Sequence, residues 1–435
     1  MHLALVLLVL QSPGLDRQEQ RIRATIAASR EAQIAYLQRV VDMPSSTLNF
    51  EGVRKVGAVF RASLDSLGFT TQWVAVPDVV GRAGHLVAVH HGKAGAARML
   101  LIGHLDTVVE PAGASWVRED TIARGIGGTD MKGGDVVILY ALKALQTAGA
   151  LRDLNITIVF TGDEEHPGEP LEDARRALID AARQTDVALA FEAGNRADVT
   201  VARRGASAWR VTATGHQAHS AGVFGQSAGY GAIYEVARIL DAFRMQLAGE
   251  QYLTFNAATV VGGTDVSYDT VAISGTAASK LNIIPQRAIA HGDLRFISDE
   301  QLQRTRDKMR AIVAQHLPGT DADITFRDEY PAMSPTPGNA RLLAIYDSSS
   351  RALGYGAVAA LDPGRRGAGD ISFVAPLIDG LDGLGAMGGG SHAPGEHVDL
   401  TTLTMQTERA ALLMYRVGRR PAAQFKREAA AGAVP

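Results

Sequence analysis

Cysteine is missing from the whole of this 435-residue chain. Its absence excludes a disulfide framework and thiolate catalysis, and leaves any metal to nitrogen and oxygen ligands. An excess of charge of one sign is missing too. The formal net charge is −3, and no cluster of Lys and Arg adds a basic patch, so nothing points to nucleic acid. Long apolar runs are also lacking. The one conspicuous run, residues 3–10, is too short to span a bilayer. No internal repeat is visible.

What is present suits a globular protein of two domains with a large core, by length and by its 46% apolar and 20% charged residues. The run at 3–10 leads into Gln11-Ser-Pro-Gly14. It has the length of a signal-peptide core with a small-residue exit, although only His2 precedes it where basic residues are usual. Residues 1–14 therefore read as a cleaved leader. The mature chain is expected in the periplasm or outside the cell, free of the membrane.

After the leader, Ile22, Ile26, Ile34, Leu37 and Val41 recur at helical spacing, predicting one helix over 16–43. A second helix is predicted over 53–67. Strand-like runs then alternate with helices: strands at 86–90, 99–103, 156–160 and 187–191, helices at 133–145 and 171–182. This alternation predicts an α/β fold, a mixed and mostly parallel sheet flanked by helices. The pattern changes near Val199. Strands at 201–214, 252–261, 270–277, 287–296 and 323–329, with helices at 228–247 and 299–316, give a β-α-β-β-α-β unit inserted into the chain. A helix at 339–353, a strand over 383–387 and a helix at 400–417 return to the first domain. The expected bounds are 15–200 and 333–435 for the first domain and 201–332 for the insert.

Several apolar runs end in residues that bind metals. Residues 156–160 lead to Asp163-Glu164-Glu165-His166, and crowding three like charges is unfavourable unless a cation is present. Residues 99–103 lead to His104-Leu-Asp106. Gly127-Gly-Thr-Asp130-Met-Lys-Gly-Gly134 is a glycine-rich turn bearing one acid. Glu192 follows a third run, residues 187–191, and Gly388-Gly-Gly-Ser-His392-Ala-Pro-Gly-Glu396 places a His in a glycine-rich loop. Two His and three carboxylates suit a zinc-type site. In open α/β sheets the ligand crevice lies at the carboxyl ends of the strands, where these residues fall. Asp163 reads as a turn or hydrogen-bonding residue, His166 as a loop residue near the mouth, and Lys132 as a cation turned away from the site.

In their order and spacing these elements resemble the M20 family of co-catalytic di-zinc peptidases, over nearly the full mature chain, and most of all its glutamate carboxypeptidase branch. The resemblance implies two zinc ions bridged by Asp130, one completed by His104 and Glu192, the other by Glu165 and His392. It implies Glu164 as general base and Asp106 as the carboxylate orienting His104. In the insert, Gly215-His-Gln-Ala-His219 resembles a loop whose His reaches the opposite subunit's active site, where His219 would stabilise an oxyanion. Asn282 and Arg295 match positions that bind the substrate's carboxylate end. For Arg295 a surface ion pair with Asp293 or Asp299 stays open. Gly367-Ala-Gly-Asp370 resembles a substrate loop, and residues 388–390 offer backbone N–H groups to a carboxylate.

The implied insert is a ferredoxin-like lid that pairs with its twin in a homodimer. The implied activity is hydrolysis of a peptide or amide bond beside a free carboxylate, as in a carboxypeptidase releasing C-terminal glutamate or a similar residue. An N-acyl amino acid amidohydrolase (aminoacylase or deacylase) has the same site chemistry and stays open. A non-catalytic binding protein on the same fold is expected to lack a ligand or the base, and this chain keeps all of them.

Overall fold

The computed structural model describes residues 14–427. The expected leader at residues 1–14 lies outside them except for Gly14. The chain divides into two compact units. One comprises Met1–Val201, Pro335–Asp362 and Phe373–Pro435; the other comprises Ala202–Ser334 and Pro363–Ser372. The short return at Pro363–Ser372 was not expected from the sequence, which places it in the first domain.

The first unit is built on a six-stranded mixed sheet. Its order is Thr70–Val74, His85–His90, Asn155–Thr161, Arg98–His104, Val187–Ala190 and Asp379–Leu381. The first two pairings are antiparallel, and the last three are parallel. The parallel strands end almost level: His104 pairs with Thr161, and Ile102 with Ala190. Residues just past these ends therefore share one edge of the sheet. Two helices, Lys132–Thr147 and Leu400–Gly418, are buried along most of their length. Gly134 lets the first of them start against the sheet. A Cβ there would lie 1.9 Å from the Phe191 carbonyl oxygen.

The helix expected over 16–43 is two helices, Arg17–Ala28 and Arg30–Val41. Ser29 separates them, with its hydroxyl donating back to the Ile26 carbonyl. Such local bonding competes with helix propagation. The strand expected over 383–387 lies earlier, at Asp379–Leu381. Residues 383–387 are instead held by single contacts, such as Gly385 N–H to Glu192 O at 2.9 Å. A Cβ at Gly385 would lie 2.0 Å from the Phe191 oxygen, so the segment passes too close for ordinary pairing.

The second unit is a four-stranded antiparallel sheet in the order Thr254–Gly263, Arg287–Phe296, Gly205–Gly215, Thr320–Tyr330. Helices Ala232–Leu247 and Asp299–Val313 pack on it around Trp209, Val236, Phe243, Leu294 and Met309. The strand expected over 270–277 is a hairpin, Asp265–Asp269 with Ser274–Ala278. Its turn is built by the Asp269 carboxylate, which accepts from the N–H groups of Val271 and Ala272. Among the described residues no helix is long and apolar enough to cross a membrane.

Candidate metal centre

His104 closes the strand Arg98–His104 and is buried. Its Nδ1–H donates to the Asp106 carbonyl at 3.0 Å, with Asp106 Oδ1 3.4 Å away. That leaves the Nε2 lone pair facing inward, 3.4 Å from Asp130 Oδ1 and 3.7 Å from Glu192 Oε1. Nε2 is buried and has no hydrogen-bond partner. An imidazole fixed through one nitrogen, with the other orphaned among carboxylates, is the arrangement of a metal ligand.

Asp130 presents its other oxygen to the second histidine. Oδ2 lies 3.2 Å from His392 Nε2, which is 3.2 Å from Glu165 Oε2. One carboxylate thus stands between two groups, His104 with Glu192 and His392 with Glu165. Glu164 falls on the first side, since ligand atoms of His104, Glu164 and Glu192 lie within 4.8 Å of one another.

The charges fit a cation. Burial pushes the Glu165 carboxyl up to about 8, with the Asp130 and Asp106 charges adding to it. Burial also opposes charge on Asp130, but the two imidazoles beside it hold it below the usual carboxylate range. The bond to Asp130 lifts His392 to about 9. Burial lowers His104, and the neighbouring carboxylates of Asp106, Asp130 and Glu192 outweigh that and raise it well above the ordinary value. In these directions protons on the imidazoles balance the acids. A divalent cation balances the same acids and leaves the imidazole lone pairs to ligate.

Asp106 does more than sit behind His104. It also accepts from the Thr47 hydroxyl at 2.6 Å and from the N–H groups of Glu164 and Glu165 at 3.1 and 3.2 Å. Asp106 therefore positions both, His104 through its main-chain carbonyl with the carboxylate close by, and the Glu164-Glu165 pair through its carboxylate. Lys132 is turned away, its Nζ donating to the carbonyls of Val40 and Met43. Asp163 accepts from Gly168 N–H and from Arg175, so it anchors the following loop. His166 contributes only its carbonyl, to Arg82.

Sequence reasoning missed Glu396. Its carboxylate accepts from the main chain of Gly127, Thr129 and Asp130. The available signal was an acid four residues beyond His392 in a loop otherwise poor in charge.

In the second unit, His219 and Asn282 come together. Ser220 N–H donates to Asn282 O at 2.9 Å, and His219 bridges to Ile283. Both side chains are exposed. Arg295 is elsewhere. It pairs with Ala206, whereas Arg287, at the His219 end, pairs with Thr214. Eight residues of extended chain between Arg287 and Arg295 amount to roughly 27 Å. In a single copy Asn282 and Arg295 therefore do not share one subsite. Arg295 forms the ion pair with Asp293, at 3.0 Å. It also lines a pocket of about 460 Å³ with Arg204, Arg365, Arg366, Asp293 and Thr254.

The profile of Peptidase family M20/M25/M40 matches residues 100–416. Carboxypeptidase G2 of Pseudomonas sp. (strain RS-16) is 27% identical over 403 residues, covering 89% of this chain and 89% of that one. Succinyl-diaminopimelate desuccinylase of Acidiphilium cryptum (strain JF-5) is 28% identical, covering 83% and 92%. Among solved structures, aminopeptidase PepT from Bacillus cereus ATCC 10987 superposes with a TM-score of 0.69 at 17% identity, over 89% of this chain and 98% of that one. The Bacillus subtilis YXEP protein, a dinuclear metal binding peptidase, gives 0.62 at 15% identity, over 90% and 99%. At these identities the structures share the fold. With the sequence profile spanning most of the chain, they place this protein among the hydrolases of peptidase family M20/M25/M40.

Proposed function

We propose that this chain hydrolyses a peptide or amide bond beside a free carboxylate, as a carboxypeptidase releasing C-terminal glutamate or a similar residue. The observation that carries the reading is the placement of Glu164. It lies among ligand-type atoms of His104 and Glu192, next in sequence to Glu165, with both backbone N–H groups held by Asp106.

Two zinc ions, held by His104, Glu192, Asp130, Glu165 and His392, would supply Lewis acidity and acidify a bound water. Glu164 accepts a proton from the attacking water and returns it to the departing nitrogen. Glu165 stays a ligand, and Asp106 keeps His104 in the tautomer that ligates through Nε2. The four arginines of one pocket, Arg204, Arg295, Arg365 and Arg366, suit a free carboxylate, because guanidinium groups bind it through paired N–H donors.

His219 and Asn282 are proposed to serve the site of a second copy in a homodimer, with His219 on the oxyanion. Exposed apolar residues Ile233, Tyr234 and Val260, the last on an edge strand, suit such a contact. The apolar run at residues 3–10 supports export to the periplasm or medium.

The similarity to a succinyl-diaminopimelate desuccinylase favours a second reading, an N-acyl amino acid amidohydrolase. A panel of peptidyl and N-acyl glutamates against the same derivatives of neutral amino acids separates them. Turnover of peptidyl glutamates above all others is expected. Turnover confined to N-acyl amino acids favours the second reading, and activity that survives a chelator contradicts both.

A further inference from the structure

Glu396 is an acid that the proposed chemistry does not use, and its side chain is almost wholly buried, with the residue 3% exposed. A buried carboxylate needs full compensation. Here the main chain supplies it. Oε2 accepts from Gly127 N–H at 2.9 Å, and Oε1 accepts from Thr129 N–H at 2.9 Å and Asp130 N–H at 3.0 Å. Gly127 has a φ of +79°, which helps nearby N–H groups converge on one anion. Two further bonds lace the same segments together. Gly125 N–H donates to Glu396 O at 3.0 Å, and the Thr129 hydroxyl donates to His397 O at 2.5 Å.

Glu396 therefore ties the turn that carries Asp130 to the loop that carries His392, four residues from His392 itself. The two sides of the centre differ in how they are held. His104 ends a central strand and is fixed through Nδ1 by Asp106. Glu192 follows a strand paired to the same one. His392 has neither support. It is 57% exposed at its side chain, sits in a loop, and has a φ of +64°.

We infer that Glu396 is a positioning residue for the metal centre: by seating its carboxylate among the N–H groups of Gly127, Thr129 and Asp130, it sets Asp130 Oδ2 against His392 Nε2, so that metal binding on the His392–Glu165 side depends on it more than on the His104–Glu192 side. This rests on the two-ion reading of the centre.

Metal-free protein dialysed against graded zinc, with bound metal measured per chain, tests it. The unmodified chain is expected to take up two ions. Glu396→Ala leaves three buried N–H groups without their acceptor. It is expected to bind the first ion with unchanged affinity and the second about 10- to 100-fold more weakly, the range for loss of a group that orients a ligand. Glu396→Gln keeps one oxygen but turns an amide N–H₂ toward a backbone N–H, and its second affinity is expected to fall between the two. If Glu396→Ala does not fold, as judged by circular dichroism, Glu396→Gln decides. The rise in Tm on adding zinc gives a second readout, expected to lose its second step in the variants. An unmodified chain that takes up only one ion sinks the two-ion reading. An unmodified chain that binds two, with folded variants that bind both as tightly or lose both equally, overturns the role of Glu396 alone.

Discussion

Asp163 and Arg175 form an ion pair at 2.7 Å in which neither side chain reaches solvent. Arg175 also donates to the Asp163 carbonyl at 3.0 Å and lies over the Phe373 ring. The pair closes the loop that leaves Glu164-Glu165. Removing one partner strands a buried charge, so Arg175→Met is expected to lower unfolding stability by about 3–5 kcal/mol. Urea denaturation checks this. The double variant Asp163→Leu/Arg175→Met should recover much of the loss. A single variant as stable as the parent contradicts the account.

Glu164 and Glu165 are neighbours in sequence with different proposed jobs, and two variants separate them. Glu164→Gln is expected to lower kcat by about 10²- to 10⁴-fold, the usual contribution of a positioned base, with bound metal unchanged. Glu165→Gln is expected to lose metal first and activity with it. Turnover measured beside metal content distinguishes the two. Equal metal loss in both variants would mean that Glu164 is a ligand.

Asp106 has four partners, and its substitution should be felt through all of them. Asp106→Asn replaces one acceptor oxygen by a donor facing Thr47 or a backbone N–H. Metal affinity is expected to fall by about 10- to 100-fold. Thr47→Val removes a single hydrogen bond to Asp106 and should cost about 1 kcal/mol of stability. Zinc titration and thermal unfolding of the two variants check the ranking.

The residues proposed as ligands were legible in the sequence because metal-binding chemistry restricts residue type and the fold restricts place. His104, Glu165 and Glu192 each follow an apolar strand, while Asp130 and His392 sit in glycine-rich turns. Glu396 was not legible because its partners are backbone N–H groups, which carry no residue-type signature. The second job of Asp106 was hidden for the same reason. The hairpin at Asp265–Ala278 was missed because its turn contains no glycine and is built by Asp269. The break at Ser29 was missed because the apolar spacing continues through it. Asn282 and Arg295 were joined by the family resemblance, since both match positions that bind the substrate's carboxylate end. The strand Arg287–Phe296 carries them to opposite ends of the sheet.

His291 gives the second unit its own pH dependence. It is buried, and its Nδ1 accepts from the Tyr268 hydroxyl at 3.0 Å, which is in turn 2.8 Å from Thr259 Oγ1. Burial, and then the nearby Arg210 and Arg327 charges, lower its pKa below the ordinary imidazole value. Between that lowered value and about 6.5, the unfolded chain binds more protons than the native one, so stability rises with pH. The contribution is present above the unfolded pKa and lost as pH falls through the folded one. Unfolding of the parent and His291→Asn across acidic pH should show a shallower slope in the variant. Identical slopes would mean that His291 has the same pKa in the native and unfolded chains.

The proposed homodimer, with His219 serving a second copy, is testable by mixing. If His219 serves a second copy, a Glu164→Gln chain still offers an intact His219. A His219→Ala chain still offers an intact base. Each variant alone is expected to be nearly inactive, because both of its sites lack one group. In a mixed dimer one of the two sites regains both groups. Random 1:1 assembly of two-fold dimers should then recover about a quarter of the parental activity. Co-expression with two affinity tags, followed by purification of the doubly tagged dimer, should raise that share to about half, since every dimer then carries one complete site. Recovery that tracks the fraction of mixed dimers would assign His219 to the partner's site. A mixture as inactive as its components would assign it to its own chain, and a His219→Ala chain that is active alone would assign it to no site at all.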